Sequence, residues 1–412
     1  MSQDISKTLE SRVCSECRST LDEILRLGAQ QMLQAAIEAE VASYVAERQG
    51  LRDETGRRCI VRNGHLPERS LQSPVGPIEI KQPRVRDRRG RERFASAILP
   101  RYLRRAPSLD NLIPWLYLKG ISAHAMPEAL QPILGPDASG VSPSTVVRLS
   151  EVWQEQHRQW SERDLRDKRY AYWWVDGIYF NVRLSEDRPC LLVIVGALQD
   201  GRKELVTILD GERESKLSWL ELLRDLKRRG VKDGPALAIG DGALGFWSAV
   251  SEQYPKTRRQ RCWVHKTANV LDKMPKHLQA EAKTLLHRMY QSPTKAEALG
   301  AFDEFVARYG HGRPKAVDCL VKDKEVLFTF YDFPAAHWVH VRTTNPIEST
   351  FATVRHRHRQ TKGSGSREAT LAMVFQLARE AQRHWRRLDG HELVPKVLAG
   401  IRFTDGTESE AA

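Results

Sequence analysis

The sequence predicts an α/β chain. Its mixed sheet opens with three antiparallel strands, an all-helical insertion interrupts it late, and a mostly helical region precedes it. Three observations predict this. An aromatic and β-branched run from Tyr170, YAYWWVDGIYFNVRL, is followed by the apolar runs CLLVIVGAL and KELVTIL, the last two joined by the hairpin dipeptide Asp200-Gly201. A short buried-type strand, ALAIGD, lies between two helix-patterned stretches, SKLSWLELLRDLKRRG and LGFWSAVSEQY. From Val264 to His340 the pattern turns helical and polar, as in HLQAEAKTLLHRMY and TKAEALGAFDEFVARYG.

Taken in order, residues 1–50 read as helix, with Gly28 the one flaw in LDEILRLGAQQMLQAAIEAEVASYV. Cys14 and Cys17 form a single CxxC without a second pair nearby, half of the four ligands a structural zinc site needs. Residues 51–105 are rich in Arg, Pro and Gly, carry strand-like pieces such as PIEIKQ, and read as an extended basic connector. Residues 108–148 read as helix, turn, helix: Ser108 opens the first helix, Gly120 closes it, and Ser142-Pro143-Ser144-Thr145 starts a third. That pattern suits a helix-turn-helix DNA reader as well as a plain helical subdomain. Then come three strands, an amphipathic helix ending at Gly230, a strand, a helix and TRRQRCW as a last strand. This is the element order of the ribonuclease H-like fold. A final helix starts at TTNPIES and runs through FATVRHRHR. The resulting division is a DNA-binding region at 1–165, the first part of the core at 166–263, the insertion at 264–340, the final core helix at 341–388 and a tail at 389–412.

Composition narrows the function. The 412 residues carry 65 Lys+Arg against 52 Asp+Glu, hence a net charge of +13. At 41% hydrophobic and 28% charged, the chain is not disordered by composition. The longest apolar run, Cys190 to Leu198, is nine residues, where a membrane span needs about 20. The start, MSQDISKTLES, lacks the basic and apolar blocks of a secretory signal. Six irregularly spaced cysteines do not make a disulfide framework. A soluble intracellular protein without a membrane association is expected. The charge is concentrated: residues 51–105 hold fifteen Lys/Arg and six Asp/Glu, and residues 342–387 hold ten and three. The second cluster includes Arg355, Arg357, Arg359 and Lys362. Two such clusters point to phosphate-backbone contacts, although a single run of this kind is usually a solvated face.

Three acids stand where the predicted fold brings them together. Asp176 lies inside the first strand between bulky apolar flanks, Asp241 ends ALAI, and Glu348 lies on the first turn of the final helix. Each has an ordinary reading: a strand-edge acid, a turn residue, and an early residue of a helix capped by Asn345. Together they form an oxygen-rich set suited to Mg²⁺. Two ions about 4 Å apart activate a hydroxyl and stabilise the leaving oxygen of a phosphodiester. The run Gly240-Asp241-Gly242-Ala243-Leu244-Gly245 matches GxGxxG, but antiparallel strands precede it and TRRQRCW stands where the ribose-binding acid belongs. A nucleotide cofactor is therefore not expected. Cys262 and His265, in CWVH, are two soft ligands without evident partners (Cys319, His311 and His287 are the candidates) and read better as a packed Cys and a polar His beside a cleft. Trp263 between them is either core or a platform for an unpaired base.

WVDGIYFNVR, GDGALGFWSAV, QRCWVHKTANV and RTTNPIESTFATVRHR, with VRNGHLPERS and PRVRDRRG upstream, resemble the bacterial insertion-sequence transposases of the Mutator-related DDE group. The likeness spans about residues 60 to 388. It implies a catalytic triad of Asp176, Asp241 and Glu348, a Cys-x-x-His feature at Cys262 and His265, and a basic residue two helical turns past the glutamate at Arg355. It further implies double-stranded DNA as partner (terminal inverted repeats and target), two Mg²⁺ ions with Mn²⁺ as a substitute, and a homodimer or larger assembly on DNA in the bacterial cytoplasm, associated with the nucleoid. The N-terminal CxxC is not part of that pattern. The expected function is thus a transposase that cleaves and joins DNA. The rivals are an inactive or repurposed relative acting as a DNA-binding repressor, against which the complete triad argues, and a structure-selective nuclease, which would not need the upstream helices.

Overall fold

The computed structural model describes residues 2–119, 121, 125–134, 143–180, 190–211, 213–242, 244–360 and 366–409. They fall into two compact units, Met1–Leu149 and Ser150–Ala412.

In the first unit a long helix, α1 (Ser2–Glu47), meets two nested antiparallel pairs. Strand β1 (Ile60–His65) pairs with β4 (Pro83–Asp87), and β2 (Arg69–Ser73) pairs with β3 (Gly76–Ile80). Residues 51–105, read as an extended connector, therefore contain paired sheet. The strands are short and interrupted by arginines, and their apolar partner lies far off in sequence on α1. Strand β3 buries Ile78 and Ile80 while exposing Glu79, the period-two pattern of a half-buried strand. Those two isoleucines pack with Ile37 of α1, Leu71 and Leu99. The Gln30 and Gln34 amides donate to the carbonyls of Glu79 and Lys81, each at 2.9 Å, fixing helix to hairpin. Gly76 closes the hairpin at φ +98°, a conformation side chains resist. Arg69 spends its charge locally, donating to the carbonyls of Arg101 at 2.6 Å and Pro100 at 3.0 Å. Two helices follow, α2 (Pro107–Leu118) and α3 (Met126–Leu134), joined by a cluster of Leu109, Ile113, Met126 and Leu130. The turn read at Gly120 lies outside the described residues, as do 135–142.

Helix α4 (Pro143–Ser161) leads into the second unit, which is built on a five-stranded mixed sheet. Its strands are β5 (Tyr170–Tyr179), β6 (Cys190–Leu198), β7 (Lys203–Gly211), β8 (Leu237–Gly240) and β9 (Arg258–Arg261), with α5 (Lys216–Arg228) before β8 and α6 (Leu244–Gln253) before β9. The spatial order is β7-β6-β5-β8-β9. The first three strands are antiparallel neighbours, and β8 and β9 add in parallel. Parallel neighbours need a crossover, and the two amphipathic helices supply it. One sheet face puts Trp173, Val175, Leu192 and Ile194 against Trp219, Leu223 and Phe246 of α5 and α6. On β5 the alternate residues serve the other face: Tyr172 hydroxyl lies 2.6 Å from His337 Nδ1, and the Trp174 indole N–H donates to the His340 carbonyl at 2.9 Å.

The stretch after β9 is helical: α7 (Trp263–Leu271), α8 (Lys276–Gln291), α9 (Lys295–Tyr309), α10 (Pro314–Val321) and the short α11 (Lys324–Leu327) and α12 (Trp338–Val341). The chain then returns to the sheet. The single final helix expected over 341–388 is two helices, α13 (Asn345–Gln360) and α14 (Arg367–Gln382). Gly363 and Gly365 lie between them, and Ser366 caps the second, its hydroxyl accepting from Ala369 N at 3.2 Å. Helix α14 lies on β7, where Arg367 grips Asp210 with two bonds of 2.9 Å. The tail carries α15 (Val394–Leu398) and a small pair, β10 (Phe403–Thr404) with β11 (Thr407–Glu408).

Candidate active site

The sheet register sets the site. Val175 of β5 pairs with Gly240 of β8 in parallel, so Asp176 and Asp241 each stand one residue beyond the same rung. Carboxyl ends of adjacent parallel strands are where open α/β sheets bind ligands. The next rung partner on β9 is Arg261, and the amide of Cys262 donates to the Gly240 carbonyl at 2.9 Å. Trp263 N donates to the Arg342 carbonyl at 3.0 Å, which anchors the approach to α13 at this edge.

Glu348 is then fixed by Thr344. The Thr344 carbonyl accepts from Ile347 and Glu348 as the helix begins, and its hydroxyl donates to Glu348 Oε1 at 2.6 Å. Thr344, not Asn345, is therefore the residue that opens α13. Its amide and hydroxyl also lie 3.3 Å from Cys262 Sγ. His265 Nδ1 is 3.6 Å from Glu348 Oε1. Among the described residues, Cys262, His265 and Glu348 form a group whose ligand atoms lie within 4.8 Å of one another.

The acids sense one another. Burial pushes the Asp176 carboxyl up to about 6; the charges of His265 and Arg355 oppose this and that of Glu348 adds to it. A fourth acid, Glu214, was not foreseen. It lies just ahead of α5, and a Cβ on Gly177 would come within 2.8 Å of its Cδ. Burial, then Asp176 and Asp241, raise its carboxyl to about 7. No motif marked it; the only sequence signal was its place before Ser215, the cap of α5. His265 is raised to about 9 through its hydrogen bond with Cys262 and the charges of Cys262, Asp241 and Glu348. Burial raises the Cys262 thiol, but hydrogen bonds from His265 and Thr344 outweigh it and the net shift is downward. The pair is thus an imidazolium beside a thiol inclined to ionise. Asp241 is held by Arg261, whose Nη2 is 3.0 Å from Oδ1.

A profile described as "Transposase, Mutator family" matches residues 2–388. The chain belongs to the Mutator family of transposases. It is 49% identical over 298 residues to the transposase for insertion sequence element IS6120 of Mycolicibacterium smegmatis, covering 72% of this chain and 92% of that one. It is 47% identical over 289 residues to the transposase for IST2 of Acidithiobacillus ferrooxidans, covering 68% and 95%. A more distant relative, the transposase for ISRM5 of Rhizobium meliloti, is 27% identical over 367 residues, covering 89% and 88%.

In this Mutator-family transposase Arg355 is exposed on α13, close enough to Asp176 for its charge to favour the ionised carboxylate. Arg357 and Arg359 lie on the same helix with side chains outside the described set, and Lys362 lies outside the described residues. Trp263 does not line the site. It is fully buried, its indole N–H donates to the Leu327 carbonyl at 2.8 Å, and it packs on Tyr290 and Phe328. It offers no face to a base. Cys14 and Cys17 fall within α1, three residues apart with undescribed side chains. Among the described residues no helix is long and apolar enough to cross a membrane.

Proposed function

We propose that this transposase binds the terminal inverted repeats of its own insertion sequence and cleaves and joins DNA at Asp176, Asp241 and Glu348 by a two-ion DDE mechanism. The observation that carries the proposal is the register: two aspartates stand one step past the same rung of neighbouring parallel strands, and Glu348, held by the buried Thr344, is near enough for its charge to act on Asp176. We read the mixed sheet with its helical insertion as a ribonuclease H-like core, residues 1–165 as the region that binds the element ends, and the working form as a homodimer or larger assembly on DNA.

The donor set fits Mg²⁺ on chemical grounds. Asp176, Asp241 and Glu348 offer hard carboxylate oxygens, and Asp176 is buried enough that a cation beside it would relieve its raised proton affinity. The nearby sulfur and imidazole of Cys262 and His265 are softer, and their mutual hydrogen bonding makes them a support for Glu348. When bound, Mg²⁺ (or Mn²⁺ in its place) would lower the pKa of the attacking hydroxyl and neutralise charge on the phosphate.

The protein's own residues do the rest. Thr344 fixes one oxygen of Glu348 and so sets the orientation of the carboxylate that would hold the cation. His265 keeps a positive charge beside Glu348 and offsets the cluster's negative charge before substrate arrives. Arg355, exposed on the helix that carries Glu348, contacts the phosphate next to the scissile one. Attack by water forms one P–O bond as the bond to the 3′ oxygen breaks, leaving a 5′-phosphate and a protonated, free 3′-hydroxyl. That hydroxyl then attacks a target phosphodiester, forming one P–O bond as another breaks, so no nucleotide triphosphate is consumed. The test is Asp176→Asn in the full chain, with end-DNA affinity and Mg²⁺-dependent strand transfer measured side by side. Binding should persist while strand transfer is abolished; residual strand transfer removes Asp176 from the centre.

A further inference from the structure

Beside the acid cluster lies a groove of about 1090 Å³ between β9, α6 and the insertion helices α7 and α10. Seven of its lining side chains are Lys or Arg and three are Asp or Glu, so it is a positive channel. Lys273, Lys315 and Lys322 line it from just past α7, from α10 and from just past α10; they are exposed and form no ion pair among the described residues. The acid nearest its inner end, Asp323, is already taken by Lys266 and, at 3.7 Å, by Arg261.

The groove reaches Asp241 through its lining residues Gly242, next in sequence, and Arg261, which pairs with it. Gly242 lines the groove, and its missing side chain leaves room for Arg261: a Cβ there would stand 1.9 Å from Nη1. Arg261 thus spans the gap between Asp241 and the groove, with its Nε buried and without a hydrogen bond. A planar guanidinium can exchange a carboxylate for a phosphate while keeping its fork. Trp247 is also in the lining, its indole N–H fastened to the Asp241 carbonyl at 3.1 Å. A basic channel with an aromatic ring beside it is the arrangement that holds unpaired nucleic acid.

We infer that this groove binds a short stretch of single-stranded DNA, the strand that flanks the scissile phosphate, with Arg261 as its innermost phosphate contact. The inference rests on the transposase mechanism proposed above and adds to it a path for the strand through the helical insertion. A strand held there enters the cluster beside Asp241, and the insertion acquires a role in feeding the centre.

The experiment uses the full chain and a fluorescent single-stranded thymidine oligomer, with binding followed by anisotropy across a salt titration. The triple variant Lys273→Glu, Lys315→Glu, Lys322→Glu should bind the oligomer at least about tenfold more weakly at low salt. Three lost phosphate contacts at about 0.7 each should also flatten its log affinity against log salt slope by roughly 2. The corresponding triple Lys→Arg variant should bind as the wild type does, and affinity for a blunt duplex of the element end should stay unchanged in both. Wild-type affinity of the Glu triple for the oligomer overturns the inference, as does an equal loss on duplex or a loss shared by the Arg triple. Cleavage of the element end by wild type is measured alongside: its absence overturns the mechanism, while the oligomer still decides the groove.

Discussion

Glu214 and Thr344 sit close around the acids: Glu214 belongs to no motif read in the sequence, and Thr344 lies in TTNPIES, where it was read only as part of a helix start. The three acids stand out as candidates because one lies inside an apolar strand, one ends a strand and one opens a helix, each within a long patterned stretch. Glu214 does not, because its importance comes from Gly177, a residue on another strand whose missing side chain admits it. It makes a pH prediction. Asp176 shifts from 3.8 to about 6 and Glu214 from 4.5 to about 7 on folding. A carboxyl raised this way holds its proton longer in the fold, so its stabilising contribution is full below the unfolded value and is lost as pH rises through the folded one. Without divalent metal, the melting temperature of Glu214→Gln should fall less than that of wild type between pH 4.5 and about 7. Identical pH slopes for the two proteins would remove Glu214 from the cluster. Thr344 makes a kinetic prediction. Thr344→Val deletes the donor to Glu348, and losing such an outer partner costs about 10–100-fold in activity or metal affinity. Thr344→Ser keeps the hydroxyl and should restore turnover; equal defects in Val and Ser would assign Thr344 to packing alone.

At the scale of elements, the strands declared themselves because aromatic and apolar residues dominate β5 and β6, where both sheet faces are covered. The strands of residues 51–105 did not, since their burial depends on α1 and their alternation is diluted by arginine. The final helix was legible at its start, where Pro346 and Glu348 sit in a first turn. The helix read from TTNPIES through FATVRHRHR is α13; the division drawn at 341–388 also takes in α14, because REATLAMVFQLARE suits a helix as well. The two crossover helices are tied by a close approach that glycine permits. A Cβ on Gly245 would lie 2.7 Å from Ser215 C and 2.8 Å from Lys216 N, both backbone atoms at the start of α5. On Gly242 the clash is with the tip of the flexible Arg261 side chain. Gly245→Ala should therefore cost about 1–3 kcal/mol, the usual range for overpacking, while Gly242→Ala should cost clearly less because Arg261 can swing aside. Urea unfolding of both variants checks this, and equal losses would show that the α5–α6 approach is not constrained by backbone contact.

At the scale of the whole molecule, the charge excess and the two compact units raise the question of which part selects DNA and which part cuts it. The first unit has its own apolar clusters, around Ile37 with Ile78 and around Leu109 with Met126, so it has the means to fold alone. Its basic run is only partly spent on structure: Arg69 and Arg89 are engaged by local acceptors, whereas Arg84, Arg88, Arg91 and Arg93 are exposed. The acid cluster lies wholly in the second unit. A fragment of residues 1–149 should therefore bind element-end DNA in preference to random duplex without cleaving it. Its affinity should fall steeply with salt, because each neutralised phosphate contributes about 0.9 to the logarithmic slope on duplex DNA. Replacing Arg84, Arg88, Arg91 and Arg93 by Gln should weaken binding to both sequences alike and flatten that slope, since backbone contacts carry no sequence information. What remains of the preference then belongs to base contacts from elsewhere in the unit, the helices α2 and α3 included. The measurement is fluorescence anisotropy on the two duplexes at several salt concentrations. A fragment that binds them equally at moderate salt would move end recognition out of the first unit and into the part of the chain that carries Asp176, Asp241 and Glu348.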